Sequence, residues 1–81
     1  MDEQSIRSML NEALATDPTP RLKMVYTDRD DNLTTRDIYP SQIEERPGRL
    51  GFRQPYLVAV DVEKDEPRTF RLDRIDTLEW A

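Results

Sequence analysis

The sequence contains no cysteine and no histidine. Without thiols there is neither a disulfide framework nor a thiolate zinc site. Without imidazoles the usual zinc ligand sets and the usual general base are missing as well. Glycine is scarce, at two residues in 81. The longest apolar run, Leu57–Val60, falls far short of the roughly 20 residues that carry a helix across a bilayer. The chain opens Met-Asp-Glu-Gln, acidic where a signal peptide is basic. These absences exclude thiol and imidazole catalysis and a disulfide scaffold. They leave a cytoplasmic, non-enzymatic domain with no membrane segment, metal or cofactor as the expectation.

A length of 81 residues suits a single domain over 1–81. Hydrophobic and charged residues each make up 36%, and a fold of this size buries only roughly 60% of its unfolded surface. The core must be thin, and association into a homo-oligomer would strengthen it. Twelve basic and 17 acidic side chains give a net charge of −5, which argues against indiscriminate nucleic-acid binding. The charge is uneven, however. Residues 1–45 carry five basic and ten acidic side chains, residues 46–81 seven of each. Ten of the twelve basic residues are arginine, whose planar fork suits phosphate and carboxylate better than lysine does. A GC-rich coding bias would also raise arginine.

The periodicity predicts a helix over 3–15, with Ile6, Met9, Leu10, Ala13 and Leu14 on one stripe and Pro18 and Pro20 barring continuation. From Arg21 onward the pattern is β. "RLKMVYT" (21–27) and "LTTRDIY" (33–39) flank the polar turn "DRDDN" and read as a hairpin. "SQIEERPGRLGFRQP" (41–55) reads as a long loop with a short strand around Ile43 and a mobile tip. "YLVAVDV" (56–62) is apolar on both faces and reads as an interior strand. "RTFRL" (68–72) and "RIDTLEW" (74–80) complete the set, and Trp80 is expected to cover the helix stripe. The expected fold is mainly β with one N-terminal helix. Its five short antiparallel strands over 21–80 form a strongly bent sheet closing into an Sm-like or SH3-like barrel, with an OB-like barrel as the alternative.

"RTFRLDRI" (68–75) poses the functional question. On a regular strand Arg68 shares a face with Phe70 and Leu72, and Arg71 faces the other way. A bend at Asp73 would bring Arg71 and Arg74 together as a phosphate clamp. The ordinary alternative is pairing with Asp61, Asp73 or Asp76, worth about 0–1 kcal/mol if exposed. Tyr26 and Tyr56 are either base-stacking platforms or core aromatics with their hydroxyls at the rim. Arg46, Arg49 and Arg53 form either a phosphate-gripping loop or a solvated one. The aspartate-rich turn at 28–31 lacks the spacing and glycine of a calcium loop.

In order along the chain, a helix, Met24-Val25-Tyr26, "RDIYP", "YLVAVD" and "RTFRLDRI" resemble the WYL domain, a regulatory module of bacterial transcription factors and phage-defence proteins. The resemblance runs from about Ile6 to Leu78. Pro55 stands where the family has its tryptophan, and the loop before it carries arginines that the pattern does not require. The resemblance implies an Sm-like barrel with an Arg/Tyr pocket for an anionic, nucleotide-like or single-stranded nucleic-acid ligand. By position the pocket residues are Tyr26, Arg36, Tyr56, Arg68, Arg71 and Arg74. It also implies a DNA-binding regulator as partner, and leaves open whether the chain is a stand-alone module or one excised from a longer regulator. A protein-interaction or oligomerisation module, docking through a barrel edge or the helix face, is the rival from another class.

Overall fold

A computed structural model describes residues 1–81. Helix α1 covers Glu3–Leu14, and its first turn is closed by Asp2, whose Oδ1 accepts the Ser5 N–H at 2.8 Å. That capping bond, together with the Ser5 side chain, holds the Asp2 carboxyl below its usual pKa. Ile6, Leu10 and Ala13 are fully buried, so the predicted stripe is the packing face. No helix is long and apolar enough to cross a membrane.

Five strands follow: β1 (Leu22–Thr27), β2 (Leu33–Pro47), β3 (Arg53–Asp61), β4 (Glu66–Arg71) and β5 (Ile75–Trp80). Their order in the sheet is β4-β3-β2-β1-β5, antiparallel at every pairing. One face of this sheet carries Leu22, Met24, Ile38, Leu57, Ala59, Phe70 and Leu78, and with Leu72, Ile75 and the helix stripe they form the core. The helix packs against β2, β5 and the turn between β4 and β5.

That turn is a 3-10 turn over Leu72–Arg74. It joins the two strands at opposite ends of the sheet order. In a flat five-stranded sheet those edges would lie about 19 Å apart, at ~4.8 Å per strand. A 3-10 turn of three residues advances only about 6 Å. The sheet is therefore strongly curled, as the sequence predicts. It does not close: β4 and β5 are not paired, so the expected barrel is an open, bent sheet with α1 packed across it.

One expectation needs correction. The region 41–55 is not a long loop. β2 runs 15 residues to Pro47, and β3 begins at Arg53. Only Gly48–Phe52 turns the chain, closed by the Gly48 N–H donating to the Phe52 carbonyl at 2.6 Å. A Cβ at Gly48 would sit 2.8 Å from that carbonyl oxygen, so the tight approach needs glycine. Trp80 lies opposite Leu22 at the end of β5 and is half exposed.

Candidate functional site

The segment "RTFRLDRI" divides its work by side. Phe70, Leu72 and Ile75 are buried in the core. Arg71 leaves the last position of β4 and Arg74 the 3-10 turn, so the bend at Asp73 puts both on one end of the sheet. Arg71 is the register partner of Tyr56 on β3. Tyr26, at the far end of β1, packs edge-on against Phe70 (ring centroids 5.0 Å, 74°). Its hydroxyl accepts the Arg71 backbone N–H at 3.1 Å. Tyr26, Tyr56, Arg71 and Arg74 line a concavity of about 460 Å³ together with Asp28, Arg29 and Thr69.

A second concavity, of about 670 Å³, opens under the β2–β3 hairpin tip. Arg49, Phe52, Arg53 and Gln54 line it along with the same Tyr56 and Arg71. The two hollows thus share one wall. Arg46 lies over the Tyr56 ring, its guanidinium carbon 4.8 Å from the centroid, and steadies that ring from the β2 side.

The arginines sort into two classes. Arg7, Arg36, Arg46, Arg68 and Arg71 lie within salt-bridge distance of a carboxylate. Arg21, Arg29, Arg49, Arg53 and Arg74 do not, and four of these five line the concavities. Arg74 instead donates to the Asp28 backbone carbonyl at 2.9 Å, and Arg53 to the Glu45 carbonyl at 3.4 Å. Arg71 is the exception among the lining arginines. Asp73 takes its Nε and Nη2 at 3.0 and 2.7 Å, which raises its pKa further, and Gln54 Oε1 also accepts from Nη2 at 3.2 Å. A guanidinium lacking a carboxylate keeps its donor fork available, a geometry that suits phosphate or carboxylate oxygens.

The model of the WYL domain family matches residues 8–80. The chain belongs to the WYL domain family. A solved structure, proteasome accessory factor B/C (PafBC) of Arthrobacter aurescens, superposes with a TM-score of 0.76 at 24% identity. The match covers 96% of this chain and 11% of that one, so this WYL domain spans a small part of that protein's length. No curated protein matches it in sequence.

Of the six residues that the family resemblance marks, this WYL domain brings four together: Tyr26, Tyr56, Arg71 and Arg74. Arg36 lines neither hollow. It sits on the core side of the sheet with its Nη1 3.0 Å from Asp61 Oδ2 and its guanidinium carbon 5.5 Å from the Phe70 centroid. Asp61 is buried, and burial alone would raise its pKa. The Lys64 N–H, the Arg36 guanidinium and the Glu63 N–H outweigh that and hold it below the ordinary carboxylate value. Arg68 is paired with Glu66 at 2.7 Å, away from both hollows. Arg29 was hidden in the sequence by its acidic turn. Its position follows from Asp28, whose Oδ1 accepts the Asp30 and Asn32 N–H groups and folds the turn back.

Proposed function

We propose that this WYL domain is a non-enzymatic sensing module. It binds an anionic ligand bearing an aromatic ring, a nucleotide or short single-stranded nucleic acid, and passes its occupancy to a regulator of transcription. The observation that supports the reading is the placement of the arginines: four of the five lacking a carboxylate partner, Arg29, Arg49, Arg53 and Arg74, line the two hollows around Tyr56 and Arg71. Phosphate oxygens would meet Arg74, Arg29 and the remaining Nη1 of Arg71, and a base would lie against Tyr56 or Tyr26. Stacking of that kind is worth roughly 1–3 kcal/mol per base. The net charge of −5 does not oppose this, since charges beyond about 10 Å are largely screened at ordinary salt.

Fluorescence anisotropy of a labelled, 5′-phosphorylated oligothymidylate, titrated at several salt concentrations, tests the reading. Binding should weaken steeply with salt and fall in an Arg74→Ala variant. Failure to bind at low salt would sink it. A second reading, docking of a protein partner, is favoured by Leu50 and Phe52, which stand 93% and 73% exposed at the hairpin tip. An apolar interface of that kind would be insensitive to salt.

A further inference from the structure

The two hollows repeat one set of parts. The first offers the rings of Tyr26 and Tyr56 with Arg74 and Arg29. The second offers the ring of Phe52, on the other side of Tyr56, with Arg49 and Arg53. Neither Arg49 nor Arg53 has a carboxylate within salt-bridge distance, and no acidic side chain lines that hollow. Phe52 is 73% exposed and adds nothing to the core. Cavities of about 460 and 670 Å³ each fall in the range of small-molecule sites. A ring-plus-cation set that occurs twice in succession matches a ligand whose ring-plus-phosphate unit also repeats.

We infer that the hairpin-tip hollow is a second nucleotide subsite. The ligand is then a single-stranded oligonucleotide of at least two linked nucleotides, its backbone crossing Arg71 from one hollow to the other. This inference rests on the proposed function and extends it. Arg74 and Arg29 hold one phosphate, and Arg49 and Arg53 the next. Arg46 covers one face of the Tyr56 ring, so the ring's open face takes one base and Phe52 the next. The hairpin length sets the second subsite, because β2 and β3 pair as far as Pro47 and Arg53 and thereby carry the tip arginines beyond the end of β4.

The test is a length series: thymidine 5′-monophosphate, then 5′-phosphorylated oligothymidylates of two to six nucleotides. Each is titrated against the wild-type chain, Arg49→Ala/Arg53→Ala, Phe52→Ala and Arg74→Ala. The wild type should gain affinity from monomer to dimer. The double variant should bind the monophosphate as the wild type does but lose most of that gain, roughly tenfold. Its log–log salt slope for the longer probes should be shallower by about 0.7, for the one phosphate that the pair holds. Phe52→Ala should also lose part of the gain, with an unchanged melting temperature. A wild-type monomer affinity equal to that of the dimer, or a gain kept in the double variant, overturns the inference and leaves the proposed function standing. Thymidine triphosphate binding as well as the longer probes also overturns it, because a polyphosphate tail would then suffice. No binding of any probe, and no effect of Arg74→Ala, overturns both.

Discussion

The hydroxyl of Tyr26 accepts the backbone N–H of Arg71 at 3.1 Å, although two strands separate β1 from β4 in the sheet. The bond spans the gap that the open ladder leaves and satisfies a donor on an edge strand. Tyr26→Phe keeps the ring against Phe70 and removes only this bond. Stability should fall by about 0.5–1.5 kcal/mol, read from the urea midpoint, and oligonucleotide affinity should fall with it because Arg71 loses its tether. An unchanged midpoint would show that the contact contributes nothing to closure.

Asp73 occupies the fork of Arg71 that an incoming phosphate would use. Both side chains are about two-fifths exposed, so the pair itself is worth only about 0–1 kcal/mol. Asp73→Asn should therefore leave the melting temperature nearly unchanged and tighten oligonucleotide binding. Arg71→Ala should weaken it with equally little effect on folding. Weaker binding in Asp73→Asn would mean that the aspartate orients the guanidinium for its ligand.

Arg36 and Asp61 belong to the fold. Arg36→Ala should lower the unfolding midpoint and leave the ligand affinity of the folded protein unchanged. Asp61 is held below its ordinary pKa in the folded state. Its contribution is therefore complete above the unfolded pKa, near ~3.9, and is lost as pH falls through the lower folded value. Asp61→Asn should cost about 1–3 kcal/mol at neutral pH and flatten the loss of stability below about pH 4. An unaltered acid limb in urea titrations would refute this assignment.

Phe70 touches both Tyr26 and Arg36 and is 3% exposed. Phe70→Ala should cost about 3–5 kcal/mol, measured by equilibrium denaturation. A cost below 1 kcal/mol would mean that the curled sheet collapses into the space.

The helix and most strands were legible because their apolar periods are clean: Ile6-Leu10-Ala13 at helical spacing, Leu22-Met24 and Leu57-Ala59 at strand spacing. The long hairpin was not, because prolines at 40, 47 and 55 read as strand breakers. The register explains their tolerance. Pairing of β1 with β2 ends at Leu22–Ile38, so Pro40 and Pro47 lie where β2 has a neighbour on one side only. Pro55 lies one residue past Tyr56–Arg71, where β4 ends. A proline without an N–H costs little where no strand would accept it. The sequence also put Arg71 and Arg74 together through the bend at Asp73, whereas only the family resemblance added Tyr56 to them. Arg36 was misdirected, because which arginine finds a buried carboxylate is decided by a contact 25 positions away.

The concavities are armed with guanidinium groups in a chain that has no imidazole. Arginine keeps its proton at any pH a cell reaches, and histidine is the side chain that ordinarily changes charge between pH 5 and 8. On the proposed function, the positive charge offered to a ligand would not change between pH 5 and 8, and ionic strength and the supply of ligand would set its occupancy. A signal read in this way would arrive as a concentration.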